Sequence, residues 1–170
     1  MARIELITAE TDLPDDARRV ADRIVATRGE VTPPFQVLLH SPALAERVAE
    51  LGHLVRSASS LSDADRELAT LVTGASLGCE FVWTSHLEAA SGAGLSERTI
   101  ATLRSDGDPI DAREATLASF VRELSERGTV SNATYGATHD LLGTRALVDL
   151  VGTVAYYTML ARVMGAFEAC

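Results

Sequence analysis

Helix start and stop signals recur at short intervals along the whole chain, and this constrains its fold more than any other feature. The candidate starts carry side-chain oxygens that cap helix N-termini: Ser62 with Asp65, Ser96, Asp111 with Glu114, and Ser131. Glycines mark the candidate ends: Gly29, Gly92, Gly94, Gly128 and Gly143. The one strand-like segment is the short Arg3–Ile7. The pattern predicts an all-α protein of seven or eight helices.

Prolines and apolar spacing place the remaining boundaries. A first helix is expected from Leu13-Pro14 to about Thr27, and another from Pro42 to about Arg56. The V-T-P-P stretch at 31–34 predicts a connector. Apolar residues at helical spacing predict a last helix from about Thr144 to Phe167. We expect an N-terminal helical extension over residues 1–30 and one compact domain over residues 31–170.

Composition narrows the class of protein. The 170 residues are 46% hydrophobic and 23% charged, which suits one globular domain with a real core. The net charge of −9 argues against nucleic-acid or anionic-membrane partners. With no apolar N-terminal run and no uninterrupted apolar stretch of about 20 residues, we expect a cytoplasmic protein that does not span a membrane. A structural disulfide between Cys79 and Cys170 is not expected there, and Cys170 is predicted to be an exposed terminal thiol.

The stretch from Glu67 to His86 places an acid, a thiol and an imidazole in an otherwise apolar segment. If the segment is one helix, seven steps of 100° bring Cys79 and His86 to within about 20° of each other, with Trp83 about 40° from Cys79. Glu67 is off this stripe unless Gly74 and Gly78 bend the helix. The stretch predicts an acid–base site.

The spacing Glu67, Cys79, His86 resembles the signature of the carboxymuconolactone decarboxylase superfamily, which includes the alkyl hydroperoxidase D proteins. Further blocks carry the resemblance, from about residue 30 to the C-terminus: H-S-P-A-L-A at 40–45, L-S-D-A-D-R-E-L-A at 61–69, G-A-G-L-S-E at 92–97 and L-V-D-L-V-G-T-V-A-Y-Y-T-M-L-A-R-V-M at 147–164. The resemblance implies an alkyl hydroperoxidase D-like helical bundle, no cofactor and no metal. It also implies a homo-oligomer, a trimer or hexamer, with a dimer as the fallback.

One position departs from both branches of this superfamily. The hydroperoxidase branch uses a Cys-x-x-Cys pair, but Val82 occupies the second position, which carries the peroxide-reactive thiol in the family. A single thiol cannot close that disulfide. Many non-peroxidase relatives read E-Y-E-W-x-x-H, whereas this chain reads E-F-V-W-T-S-H, so Val82 again replaces an acid.

The first functional hypothesis is a cofactor-independent acid–base enzyme that acts on a small organic acid, lactone or enolizable compound. His86 would donate and accept the proton, and Glu67 would orient it or relay to it. Cys79 would be a neutral pocket thiol, with Trp83 and Val82 as apolar walls. His53 lies on a helix that the fold could bring near the site, although a structural or surface role is also open. Glu80 points away from the Cys79 face and is expected to be solvated or salt-bridged.

Two alternatives stay open. A thiol-dependent hydroperoxide reductase would use Cys79 alone, activated by His86 and Glu67, with an external thiol as reductant. A non-catalytic binding protein on the same fold is the other. A metal site formed by Cys79, His86 and Glu67 does not match a standard zinc spacing.

Overall fold

The computed structural model describes residues 2–8, 11–105, 107 and 111–169. Within these residues the chain is all-α, as predicted, and the strand-like segment Arg3–Ile7 forms no strand because it has no sheet partner there. Eight helices follow one another: α1 (Asp15–Arg28), α2 (Pro33–Leu38), α3 (Pro42–Ser57), α4 (Asp63–Ser76), α5 (Glu80–Gly92), α6 (Glu97–Arg104), α7 (Ala112–Arg127) and α8 (Asn132–Phe167).

Side-chain caps begin four of these helices where the sequence predicts them. At the start of α8 the Ser131 hydroxyl accepts from the backbone N–H of Thr134 at 3.2 Å. The Ser62 hydroxyl accepts from the backbone N–H of Asp65, and the Ser96 hydroxyl accepts from that of Thr99. The Asp111 carboxylate accepts from two backbone N–H groups at the start of α7. Each cap is worth about 1 kcal/mol, so these local bonds set the helix starts.

Two helix boundaries differ from the expectation or refine it. The predicted connector at 31–34 is wrong in its second half, because α2 begins at Pro33. Proline suits the first turn of a helix, where its missing N–H has no partner to lose. The predicted stop at Gly143 is confirmed as a kink inside α8, where φ is 73° and ψ is 170°. Glycine adopts this backbone at little cost.

The contacts divide the chain into two compact units. The first comprises Met1–Leu54 and Arg162–Cys170, and the second comprises Val55–Ala161. The first unit buries apolar side chains of α1, α2 and α3, including Ile24, Phe35 and Val48. This division does not follow a boundary at residue 30, and the split into residues 1–30 and 31–170 stays a prediction.

Helix α4 is the centre of the second unit. It packs against α5, α6 and α7, and its Leu68, Leu71 and Val72 are almost completely buried. Leu117 and Val121 of α7 belong to the same apolar cluster. A carboxylate on α4 is therefore held within a fixed, largely apolar environment.

Helix α8 is the one described helix with the length and composition to cross a bilayer. Half of its most apolar window is buried inside the protein, and core helices of soluble proteins pass the same test, so this is weak evidence. The cytoplasmic location stays a prediction.

Candidate acid–base site

The stretch from Glu67 to His86 is two helices joined by a tight turn, and not the single helical stripe that the spacing suggested. Helix α4 ends at Ser76, and Gly78 adopts the left-handed conformation with φ of 61°. Cys79 is the N-cap of α5, with extended backbone angles. Cys79 and His86 therefore belong to a different helix from Glu67, and about 10 Å of helical rise separates the thiol residue from the histidine.

A close approach at Gly74 fixes how α5 lies on α4. A Cβ atom at Gly74 would lie 3.1 Å from the backbone N of Trp83 and 3.1 Å from Cγ1 of Val82. The backbone N–H of Cys79 also donates to the carbonyl of Gly74, at 2.9 Å. Only glycine allows the backbones to come this close without displacement.

The two helices bring together Glu67 and His86. The Nδ1 atom of His86 lies 2.7 Å from Oε2 of Glu67, and 6% of the Glu67 side chain and 16% of the His86 side chain are exposed. With Glu67 ionised, Nδ1 carries a proton and donates it to the carboxylate. Nε2, for which the described residues supply no hydrogen-bond partner, is then left to accept or deliver a proton. This is the arrangement of an oriented general base.

Arg66 donates to the other carboxylate oxygen of Glu67. Its Nε and Nη2 atoms each lie 3.3 Å from Oε1, while its Nη1 donates to Asp63 at 2.8 Å. The Arg66 side chain is mostly buried, so the positive charge lies in the same protected environment. The guanidinium compensates the buried negative charge and leaves Oε2 directed at the imidazole.

Tyr157 of α8 is a site residue that the sequence analysis did not single out, since it is one of the apolar-spaced residues that predict the last helix. Its ring meets the His86 ring edge to face, with centroids 4.9 Å apart and planes at 85°. Burial raises the pKa of the Tyr157 phenol well above its usual value, and the charge of Glu67 raises it further. The phenol is therefore neutral at physiological pH. Its position about four helical turns beyond the kink gave no sign of this contact in the sequence.

Cys79 lies at a different place from this pair. It is buried as a thiol, not a disulfide, at the N-terminus of α5. It lines a cavity of about 130 Å³ together with Arg104 and Glu80. Arg104 donates to Glu80 at 2.7 Å and stacks on the ring of Trp83, 4.9 Å from its centroid. The prediction that Glu80 is salt-bridged is confirmed; Cys170 lies outside the described residues.

The three residues predicted to line the pocket, Val82, Trp83 and His53, lie in different environments. Val82 is buried against Gly74, and Trp83 belongs to the apolar core of the second unit. His53 is exposed in the first unit, where it lines a groove with residues of α1 and α3 such as Ile24 and Ala49. The substrate-contacting roles of all three stay predictions. Within the described part of the chain, no group of three His, Cys, Asp or Glu side chains could hold a metal ion.

Solved structures with this arrangement of helices show the fold class. An alkylhydroperoxidase AhpD core, an uncharacterized peroxidase-related protein from Ralstonia eutropha JMP134, matches with a TM-score of 0.80 and 17% identity, over 99% of this chain and 91% of that one. An uncharacterized peroxidase-related protein from Silicibacter sp. TM1040 matches with a TM-score of 0.79 and 16% identity, over 98% and 90%. A protein of unknown function from Agrobacterium tumefaciens matches with a TM-score of 0.70 and 18% identity, over 77% and 92%. The fold is thus AhpD-like.

Part of the sequence matches a family model. Residues 42–122, which hold α3 to α6, most of α7 and both members of the Glu67–His86 pair, match the carboxymuconolactone decarboxylase family. No curated protein matches the chain. The family match and the fold together support the carboxymuconolactone decarboxylase and AhpD-like superfamily that the resemblance predicted.

Proposed function

We propose that the protein is a cofactor-independent acid–base enzyme of the carboxymuconolactone decarboxylase type. Its substrate would be a small organic acid, lactone or enolizable compound. His86 transfers a proton through Nε2, and Glu67 orients the imidazole and stabilises its charged form. Loss of carbon dioxide, or removal of a proton next to a carbonyl group, leaves an enolate-like anion, and the same imidazole then protonates it.

One observation carries this proposal: the 2.7 Å contact between Oε2 of Glu67 and Nδ1 of His86 in a largely buried environment. A carboxylate held against one ring nitrogen fixes the tautomer and leaves the other nitrogen as the proton acceptor. Surface histidines lack such an orienting partner. The arrangement therefore supports proton transfer better than it supports a purely structural histidine.

The test is turnover on a panel of small lactones, keto acids and organic hydroperoxides. On the substrate that the wild type converts, His86→Ala and Glu67→Gln should each lower kcat by about two to four orders of magnitude. Glu88→Gln is the matched control, since Glu88 is exposed on α5 two residues beyond His86. His53→Ala tests the predicted pocket role of His53. Full activity in His86→Ala would refute the proposal.

A second candidate is a single-cysteine hydroperoxide reductase. Cys79 favours it, because this thiol is the N-cap of α5 and lines a cavity together with Arg104, and a helix N-terminus and a nearby cation are features of reactive cysteines. The thiolate would attack one peroxide oxygen and form a sulfenic acid, while the O–O bond breaks and the departing alkoxide takes up a proton. Two external thiols would then reduce the sulfenic acid, giving water, their disulfide and the free thiol.

Mass spectrometry after mild treatment with cumene hydroperoxide separates the two candidates. Sulfenic acid or an external-thiol adduct at Cys79, with turnover that requires added thiol, would favour the reductase. Turnover of a lactone or keto acid without thiol would favour the acid–base enzyme. A protein inactive on the whole panel would be the non-catalytic binding protein.

A further inference from the structure

The hydroxyl of Tyr157 is buried without a hydrogen-bond partner of normal geometry among the described residues. Tyr157 as a whole is 3% exposed. Buried polar atoms in folded proteins are nearly always paired, because a lost hydrogen bond to water costs about 1–3 kcal/mol. An unpaired hydroxyl beside a reactive pair therefore calls for a functional explanation.

Tyr157 lies next to the two members of the acid–base pair, Glu67 and His86. Glu67 of α4 acts on the phenol electrostatically, His86 of α5 meets its ring, and Tyr156 packs against it with ring centroids 5.1 Å apart. The Thr70 side chain is a hydrogen-bonding neighbour of the phenol and Arg56 acts on it electrostatically, and both lower its pKa. The Thr70 hydroxyl donates its own proton to the carbonyl of Arg66 at 2.9 Å, and its oxygen does not meet the phenol O–H with the geometry of a full hydrogen bond.

We propose that the Tyr157 hydroxyl is a ligand-binding group of this site, which donates a hydrogen bond to an oxygen atom of a small molecule held against His86. The assignment rests on the proposed function, because it treats the Glu67–His86 pair as the place where that molecule reacts. Tyr157 then does two things: its ring edge fixes the plane of the imidazole, and its O–H holds the oxygen on which negative charge develops.

The charges around the Tyr157 hydroxyl determine which kind of ligand oxygen can accept its hydrogen bond. Tyr157 remains protonated, so it can donate to an acceptor oxygen without releasing its proton to solvent. Glu67 already places a negative charge beside the phenol. An uncharged carbonyl oxygen, as in a ketone or lactone, meets the donor without repulsion from that carboxylate. A free carboxylate meets a repulsion that the Arg66 guanidinium on the far oxygen of Glu67 reduces but does not remove. We therefore assign the binding position to a neutral carbonyl group.

The experiment uses cyclopentanone, a small uncharged ketone, as the probe and Tyr157→Phe as the variant. The ring-nitrogen NMR signals of His86 report binding in the isotope-labelled full chain. Cyclopentanone should shift them saturably in the wild type, and Tyr157→Phe should weaken that binding about tenfold, which is the worth of one hydrogen bond to a buried donor. Butyrate, a carboxylate of similar size, should bind more weakly than cyclopentanone.

Tyr156→Phe is the matched control, because it removes a neighbouring buried phenol hydroxyl from the same helix and should change the affinity less than twofold. The melting temperature supplies a readout that does not depend on any ligand. Tyr157→Phe keeps the ring contact with His86 and removes an unpaired hydroxyl, so its Tm should equal or exceed that of the wild type. A lowered Tm would mean that the hydroxyl has a structural partner, and the proposal would be wrong.

Equal affinity of the wild type and Tyr157→Phe for cyclopentanone, no binding by the wild type, or tighter binding of butyrate would each overturn the proposal. These outcomes are separate from a failure of the proposed function. That failure is retained turnover in His86→Ala, or no turnover at all, and it can occur while cyclopentanone still binds through Tyr157.

Discussion

Glu67 and His86 are nineteen residues apart in the chain, yet their side chains meet at 2.7 Å. The turn at residues 77–79 reverses the chain between α4 and α5, and the helices then pack with the carboxylate facing the imidazole. The same turn places Cys79 at the N-terminus of α5, about two helical turns before His86. The thiol and the imidazole are therefore separated by about 10 Å along the helix axis.

The first prediction follows from that separation. Cys79→Ser should lower turnover by less than tenfold if the enzyme works by acid–base chemistry, far less than His86→Ala, because the serine hydroxyl fills nearly the same space and can still donate a hydrogen bond. If Cys79 is the nucleophile, the order reverses, since serine cannot replace a thiolate in peroxide reduction. Parallel kcat measurements on the three proteins decide between these orders.

The second prediction concerns the contact between α4 and α5. Gly74→Ala should destabilise the protein by about 1 kcal/mol or more, because the added methyl group meets backbone that cannot move alone. Gly92→Ala is the control: nothing lies within 4 Å of its added Cβ, and alanine is the better helix former. Urea unfolding measures both, and a Gly74→Ala variant as stable as Gly92→Ala would contradict the close approach.

The third prediction is a pH dependence of stability at the entrance to α4. Hydrogen bonds from the hydroxyl and the backbone N–H of Ser60, at 2.6 and 2.7 Å, hold the pKa of Asp149 below its ordinary 3.8. A lowered folded-state pKa stabilises the protein fully above the ordinary value, and this contribution is lost as the pH falls through the lowered value. Asp149→Asn should therefore cost about 1 kcal/mol at neutral pH, or about 2–4 °C in Tm.

The difference in Tm between Asp149→Asn and the wild type should shrink as the pH falls below 3.8. Asp140→Asn is the matched control on α8, because the Asp140 side chain is 90% exposed and should show little effect at any pH. A difference that does not change with pH would argue against the depressed pKa of Asp149.

The fourth prediction is that the protein is a homo-oligomer, a trimer or hexamer, with a dimer as the fallback. Val148 and Val151 of α8 are 64% and 39% exposed, and they form an apolar strip on the surface of the second unit. A buried partner would remove this strip from water. Light scattering should give a mass well above the 18.1 kDa of one chain.

Val148→Asp should shift that mass downward, because a buried carboxylate opposes association. Ala137→Asp adds the same charge at another exposed position of α8 and should leave the mass unchanged. A stable monomer of the wild type at micromolar concentration would refute this prediction.

The sequence alone predicted the parts of this protein that depend on neighbouring residues. Ser62, Ser96 and Asp111 cap helices because each side-chain oxygen bonds to a backbone N–H two or three residues later. The resemblance to the superfamily, carried by short blocks of residues, also identified Glu67 and His86 as candidates before any distance was known. Both kinds of information are local in the chain.

Tertiary structure decided how the site is assembled. The glycines between Glu67 and His86 could either bend a helix or end it, and packing decides which. Here the helix ends and the chain reverses, because Gly74 lets α5 pack closely against α4. Tyr157 contacts His86 from α8, and only tertiary packing brings α8 next to the Glu67–His86 pair. In the sequence, the helical spacing of Tyr157 is the same as that of any residue on the apolar face of a core helix. Periodicity in the sequence shows which face of a helix is apolar. Only the contacts of the folded chain decide what packs against that face, and whether a hydroxyl on it finds a hydrogen-bond partner.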